Sequence, residues 1–253
     1  MLGLERQLVY FPDKTHLRTP ASVGLEFEDV RLTAADGVRL HAWWVPGRGP
    51  NTVLMFHGNA GNISFRLGEL ALFTSRLRVG VFLIDYRGYG LSEGRPSERG
   101  TRLDADAAAR HLLRDRGVDP KHLIYFGRSL GGAVATQLAT RRPPAALILE
   151  SALPSVMRMT RASYPWLAPM VNPLFLTRYD TLRSLRLVRS PVFVAHGDQD
   201  ETIPFALGRE VFAAAGDPKV WYPVAGAGHN DITVVGGVPY FDALNEFITT
   251  YVS

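Results

Sequence analysis

The first part of the chain alternates apolar and polar residues. Residues 25–33 and 38–46 both show this alternation, and the dipeptide Asp36-Gly37 separates them. Alternation over a short run predicts a half-buried strand, and Asp-Gly between two such runs is a strong hairpin signal. The sequence therefore predicts a leading antiparallel hairpin.

Six unbroken apolar runs follow, separated by longer stretches. The runs are Val53–Phe56, Gly80–Ile84, Leu123–Phe126, Ala145–Leu149, Pro191–Ala195 and Val220–Val224. Such runs are typical of strands buried on both faces. The intervening stretches predict helices over residues 64–77, 101–116, 130–141, 204–214 and 238–251. Repeated strand–helix units predict an α/β fold, with a mainly parallel sheet covered by helices on both faces.

The segment from Ala152 to Leu187 breaks this rhythm. It contains no clean strand, but it carries four prolines and several aromatic and aliphatic side chains. Two interpretations remain open: a small lid over the strand ends, or a long crossover containing a helix or two. We expect residues 1–253 to form one domain, with a lid insertion at 152–187.

The most specific motif is Gly127-Arg128-Ser129-Leu130-Gly131, which follows a predicted strand and precedes a predicted helix. A serine on a tight strand-to-helix turn adopts a strained backbone that makes its hydroxyl project clear of the sheet. The pattern G-x-S-x-G is weak alone, but this setting favours Ser129 as a nucleophile.

A serine nucleophile needs a base and an acid that orients the base. His229 lies in the run Gly226-Ala227-Gly228-His229, after the last predicted strand, and is the candidate base. Asp198 and Asp200 both follow the preceding strand. We take Asp200 as the acid because Asp198 directly follows Gly197, in a position to shape the turn; Asp198 remains the alternative.

A glycine-rich loop, His57-Gly58-Asn59-Ala60-Gly61-Asn62, follows the first buried strand. Such a loop can turn backbone N–H groups toward an oxyanion. We expect the donors to be the main-chain N–H groups of Asn59 and Leu130, with Ala60 as the alternative to Asn59. Candidate side chains of a substrate pocket are Tyr86, Met157, Trp166 and Met170.

Composition narrows the chemistry. The chain has 253 residues, a formal charge of +4 and no cysteine, which excludes disulfides, thiolate nucleophiles and cysteine-ligated metals. Basic residues are spread along the chain, so we expect no nucleic-acid partner. No set of histidines and carboxylates shows metal-ligand spacing, so we expect neither a metal nor another cofactor. No run is long and unbroken enough to span a bilayer.

Taken together, the motifs resemble the α/β-hydrolase superfamily, and more narrowly its Bem-type or prolyl-oligopeptidase-like branch. The motifs are VYFPD (9–13), HGNAGN (57–62), DYRGYGLSEGRPSE (85–98), GRSLGG (127–132), HGDQDETIP (196–204) and GAGHND (226–231). The resemblance implies an α/β-hydrolase fold, Ser129 as nucleophile, Asp200 as acid, His229 as base, and oxyanion donors at Asn59 and Leu130. Relatives often carry a membrane anchor before the VYFPD-like segment, and none is visible here.

The leading functional hypothesis is hydrolysis of small-molecule carboxylic esters with small to medium acyl chains. An acyl-thioesterase, a serine peptidase and a non-catalytic interaction module are the alternatives, in that order. We expect a cytoplasmic protein from the sequence as it stands, or an anchored or exported one if a further N-terminal segment precedes it. An apolar lid would allow membrane contact without a spanning segment.

Overall fold

The computed structural model describes residues 6–7, 9–163, 166 and 177–252. Its strands are β1 (Phe11–Pro12), β2 (Glu28–Thr33), β3 (Arg39–Val45), β4 (Thr52–Phe56), β5 (Ala60–Gly61), β6 (Gly80–Ile84), β7 (Leu123–Arg128), β8 (Ala146–Glu150), β9 (Val192–Gly197) and β10 (Lys219–Val224). Its helices are α1 (Leu67–Arg76), α2 (Glu98–Arg110), α3 (Leu130–Ala139), α4 (Val156–Ser163), α5 (Thr181–Leu185), α6 (Phe205–Ala214), α7 (Ile232–Val235) and α8 (Gly237–Tyr251).

Eight strands form one sheet in the order β10-β9-β8-β7-β4-β6-β3-β2. The strands from β10 to β6 run parallel, whereas β3 pairs antiparallel with both β6 and β2. The predicted hairpin and the predicted mainly parallel sheet are therefore confirmed. All parallel strands end at one edge of the sheet, so the loops that follow them can share a single site.

Side chains alternate across the sheet and build an apolar core on each face. Along β4, Leu54 and Phe56 join the core on one face, whereas Val53 and Met55 join the core on the other. Every residue of this strand is buried. Burial on both faces explains why the sequence shows continuous apolar runs instead of alternation.

Helix α2 differs from its predicted bounds at both ends. It begins at Glu98, because the Ser97 hydroxyl caps it by accepting a hydrogen bond from the Gly100 N–H at 3.1 Å. It ends at Arg110, after which residues 111–115 form a wider π-type turn. The apolar spacing that predicted residues 101–116 continues through that turn, which explains the longer predicted helix.

The predicted lid lies in the connection between β8 and β9. Within the described residues this connection contains helices α4 and α5, and residues 164, 165 and 167–176 fall outside the described part. The lid therefore stays a prediction. No helix within the described ranges is long and apolar enough to cross a membrane.

Helix α3 approaches strand β4 so closely that the contact requires glycine. A Cβ added to Gly131 would lie 2.1 Å from the Phe56 carbonyl oxygen, and one added to Gly127 would lie 2.3 Å from the Gly131 carbonyl oxygen. Both neighbours are backbone atoms, which move only if the strand or the helix moves. Close packing of backbones therefore requires glycine, which has no Cβ, at both Gly127 and Gly131.

We expect Gly131→Ala to lower the free energy of unfolding by about 3 kcal/mol, because the added methyl group overpacks a contact between backbones. The matched control is Gly68→Ala in α1, where an added Cβ meets nothing within 4 Å. This exposed helical position should gain up to about 1 kcal/mol from the same substitution. Urea denaturation of both variants measures the difference, and equal effects would contradict this account of the close approach.

Candidate active site

Ser129 stands at the turn between β7 and α3 in a strained backbone conformation. Its φ is 53° and its ψ is −118°, a region that residues other than glycine rarely adopt. The Ser129 N–H donates to the Glu150 carbonyl oxygen at 3.0 Å. The Ser129 carbonyl accepts from the N–H groups of Gly132 at 3.0 Å and Leu153 at 3.1 Å. These bonds hold the strained turn and fix where the hydroxyl projects.

His229 is held by Asp200, which lies in the loop after β9. The His229 Nδ1 is 2.9 Å from the Asp200 Oδ2 and 3.1 Å from its Oδ1. The Asp200 Oδ1 also accepts from the backbone N–H groups of Thr202 at 2.9 Å and Ile203 at 2.7 Å. The carboxylate is therefore fixed on one side by the backbone of its own loop and on the other by the imidazole ring.

The environment keeps Asp200 ionised. Burial acts to raise its pKa, but the hydrogen bond from His229 and the bond from the Ile203 N–H outweigh burial, so the pKa lies below its usual value. Asp198, the alternative acid, instead accepts from the Gly226 N–H at 2.7 Å and is exposed. The structure thus brings Asp200, and not Asp198, into contact with His229.

The loop after β4 faces the same edge of the sheet and is held by two tyrosines. The Tyr86 hydroxyl donates to the His57 carbonyl at 2.9 Å, and the Tyr89 hydroxyl donates to the Asn59 Oδ1 at 3.0 Å. The Asn59 N–H makes no hydrogen bond within the described part of the chain. Leu130 is the first residue of α3, so its N–H has no partner one turn earlier in the helix. Both backbone donors are therefore available to a ligand.

A cavity of about 460 Å³ opens beside these residues, within the usual size range of small-molecule sites. Ser129, His229, Asn59 and Leu130 all line it. Its apolar wall consists of Val9, Phe11, Leu153, Val156, Met159 and Ile203. Ser129 and His229 share the cavity, but no hydrogen bond joins them in this structure; such contacts often tighten only when substrate binds.

The predicted pocket residues are placed differently from expectation. Tyr86 is fully buried and supports the glycine-rich loop from beneath. Met157 does not line the cavity, because Val156 and Met159 occupy the face of α4 that lines it. Trp166 is 76% exposed and lies outside the cavity wall. Met170 lies outside the described residues. The expected roles of Tyr86, Met157 and Trp166 in the pocket are therefore corrected.

An ion cluster that sequence reasoning missed underlies the elbow. Arg128, the residue before the serine, pairs with Glu150 at 2.6 Å and with Glu69 of α1 at 2.9 Å. Glu150 also accepts a hydrogen bond from the Tyr240 hydroxyl. All four side chains are buried. The sequence did contain a signal for this cluster. Arg128 is a charged residue at the end of an apolar strand, and a buried charge requires a partner of opposite charge.

A second buried cluster surrounds Asp85 at the end of β6. Its Oδ2 accepts from the His16 Nε2 at 3.0 Å, and its Oδ1 accepts from the Ile63 N–H at 2.9 Å. The His41 Nδ1 lies 3.6 Å from the Oδ2. Atoms of His16, His41 and Asp85 that could bind a metal lie within 4.8 Å of one another, a grouping that spacing along the sequence does not reveal. The expected lack of a metal therefore stays a prediction.

His57 connects this cluster to the glycine-rich loop. Its Nδ1 donates to the Gly58 carbonyl at 2.7 Å, and its Nε2 lies 3.8 Å from the Asp85 Oδ1. Burial lowers the pKa of His57 to about 4, although the nearby Asp85 carboxylate acts to raise it. Burial also acts to raise the pKa of Asp85, but the hydrogen bond from His16, the nearby His41 and His57 rings and the bond from the Ile63 N–H bring it to about 2. At neutral pH, His57 is therefore neutral and Asp85 is ionised.

Comparison with known proteins agrees with this architecture. The family model for the alpha/beta hydrolase fold matches residues 51–177. The chain is 41% identical over 249 residues to an uncharacterized protein of Mycobacterium tuberculosis, covering 97% of this chain and 87% of that protein. It is 30% identical over 258 residues to protein bem46 of Schizosaccharomyces pombe, covering 96% and 85% of the two chains.

A solved structure shows the same fold. The esterase Pf2001 of Pyrococcus furiosus superposes with a TM-score of 0.80 at 21% identity, covering 97% of this chain and 99% of that one. The chain belongs to the alpha/beta hydrolase fold family. The similarity to bem46 also confirms the narrower Bem-type resemblance.

The buried, neutral His57 predicts acid sensitivity. Its pKa of about 4 in the folded protein lies below the roughly 6.5 of an exposed imidazole. As the pH falls, the unfolded chain therefore takes up this proton first. Stability should fall between about pH 6.5 and pH 4, by up to roughly 3 kcal/mol from this group alone.

His57→Asn is the matched comparison, because an amide N–H can replace the Nδ1–H donor but does not titrate in this range. Urea unfolding at several pH values should show a shallower acid slope for the variant than for the wild-type chain. Identical slopes would show that His57 already titrates normally in the folded protein.

Proposed function

We propose that this protein is a serine hydrolase that cleaves carboxylic esters of small to medium acyl chains through an acyl-enzyme intermediate. One observation carries the proposal: the strained Ser129 and the Asp200-bound His229 line the same cavity. A nucleophile, a base and an orienting acid are the parts that acyl transfer requires.

In the proposed mechanism, the Ser129 oxygen attacks the ester carbonyl while the His229 Nε2 accepts the hydroxyl proton. The ionised Asp200 holds the Nδ1–H and stabilises the imidazolium that forms. The backbone N–H groups of Asn59 and Leu130 bind the oxyanion. The imidazolium then protonates the leaving alcohol, and water, activated by His229, releases the acid.

The apolar wall supports the choice of acyl group. Leu153, Val156, Met159 and Ile203 offer aliphatic surface beside Ser129. A cavity of about 460 Å³ has room for a short or medium chain together with its alcohol. The same wall would accept the acyl chain of a thioester, which makes an acyl-thioesterase the second candidate.

A fluorophosphonate probe and a substrate panel test the proposal together. The probe should label wild-type protein at Ser129 and fail to label Ser129→Ala, since it reacts with activated serine hydroxyls. Aryl esters of increasing chain length should be turned over by the wild-type protein alone, with circular dichroism confirming that the variant folds.

The outcomes separate the alternatives. Faster turnover of acyl-thioesters than of matched oxygen esters would favour the thioesterase, and turnover of aminoacyl anilides without ester cleavage would favour a peptidase. Absence of both labelling and turnover in folded wild-type protein would leave the non-catalytic module as the remaining hypothesis.

The two aspartates after β9 should respond unequally to substitution. Asp200→Asn replaces the acceptor of the His229 Nδ1–H and should lower kcat by about 10⁴-fold, because the imidazole loses its orientation and its tautomer. Asp198→Asn keeps an oxygen that can accept the hydrogen bond from the Gly226 N–H and does not touch His229, so it should lower kcat less than tenfold. Steady-state kinetics on one aryl ester compares them, and a larger loss for Asp198→Asn would exchange their assigned roles.

A further inference from the structure

Arg66 brings a positive charge into the cavity beside the proposed nucleophile. It follows the glycine-rich loop and precedes α1, and its Nη2 donates to the Ala60 carbonyl at 2.8 Å. The position that a Cβ on Gly58 would occupy lies 3.6 Å from the Ser129 Cβ and 4.0 Å from the Arg66 Nη2. The guanidinium is therefore within a short acyl chain's reach of the serine.

The charge of Arg66 is not balanced by a contacting carboxylate. The other arginine of the cavity wall, Arg128, pairs with Glu69 and Glu150. Arg66 has no carboxylate within 4.0 Å among the described residues, and its buried Nε has no hydrogen-bond partner there. Burial lowers the pKa of Arg66, and the charge of Arg128 acts in the same direction, although the Glu69 carboxylate, which does not contact Arg66, acts to raise it.

The remaining wall of the cavity offers nothing to neutralise that charge. The residues that line it include arginines, amides, hydroxyls, a histidine and aliphatic side chains, but no aspartate or glutamate within the part of the chain described. Among the described residues, the Arg66 Nη1 donates to no protein acceptor. A planar guanidinium in this state matches a carboxylate, which it can bind through two parallel hydrogen bonds. A ligand that complements this cavity is thus an anion whose remaining atoms are apolar or form a short uncharged chain.

We propose that Arg66 binds a carboxylate at the far end of the substrate's acyl chain, so that the preferred substrates are half-esters of short dicarboxylic acids. This inference rests on the proposed function. Given the positions of the Ser129 Cβ and the Arg66 Nη2, about two to three methylene groups would separate the carboxylate from the scissile carbonyl. The apolar wall would then contact the methylene groups of the acyl chain and the alcohol portion.

A pair of esters that differ only in charge tests the inference. Monoethyl glutarate carries the carboxylate, and the ethyl ester of glutaramic acid replaces it with a neutral amide of the same shape. Wild-type kcat/KM, followed through released ethanol, should favour the carboxylate ester by tenfold or more. Arg66→Gln should reduce the ratio of the two kcat/KM values to near one. The absolute rates are not the readout, because the variant also alters the contact with the Ala60 carbonyl.

Arg76→Gln is the matched control. Arg76 is the last residue of α1 and is exposed, so its substitution removes the same charge without touching the cavity. It should keep the wild-type ratio. Equal loss of the ratio in both variants would assign the preference to general electrostatic attraction and overturn the role of Arg66.

Fluorophosphonate labelling separates the two proposals. Monoethyl glutarate should slow labelling of Ser129 in the wild-type protein more than the amide ester does, and this difference should vanish in Arg66→Gln. Labelled wild-type protein that shows neither this protection nor a preference in turnover would overturn the carboxylate site and leave the serine hydrolase standing. Absence of labelling and turnover would overturn both.

Discussion

The close approach between helix α3 and strand β4 determines the geometry on which the candidate site depends. Gly131 allows the helix backbone to contact the Phe56 carbonyl, and Gly127 allows the turn to approach the Gly131 carbonyl. The serine between them accepts a positive φ. That conformation would be unfavourable in an isolated peptide. Here the Ser129 N–H donates to the neighbouring strand, and the Ser129 carbonyl accepts from the loop after β8. The packing of the sheet therefore supplies the energy that positions Ser129.

Around this edge of the sheet, the buried charged groups named above have partners that stabilise their charge, and Arg66 is the exception. Asp200 is stabilised by His229 and by backbone N–H groups, and Asp85 by two histidines and a backbone N–H. Arg128 has two buried glutamates. Each ionised group thus has partners that offset its loss of hydration. Arg66 lacks such a carboxylate among the described residues and faces the cavity, which is why a ligand is the natural partner for its charge.

Much of the fold could be predicted from local patterns in the sequence. Continuous apolar runs predicted the six parallel strands, because strands buried on both faces have no polar side. The Asp-Gly turn predicted the hairpin for an equally local reason. The elbow was identifiable because its glycines and serine are adjacent in the chain. For the acid, the turn position and the resemblance both favoured Asp200 over Asp198, and the structure places Asp200, and not Asp198, against His229.

The sequence by itself determined the hairpin, the six parallel strands and five of the helices, the strand ends at which Ser129, Asp200 and His229 lie, and the glycine-rich loop beside them. These features depend on neighbours in the chain. Tertiary structure alone decided that Tyr86 supports the loop from beneath, that Val156 and Met159 replace Met157 in the cavity wall, and that Arg66 faces the site without a paired carboxylate. Those outcomes depend on the rotation of a helix about its axis and on contacts between distant segments. The spacing of residues along the chain does not specify either of them.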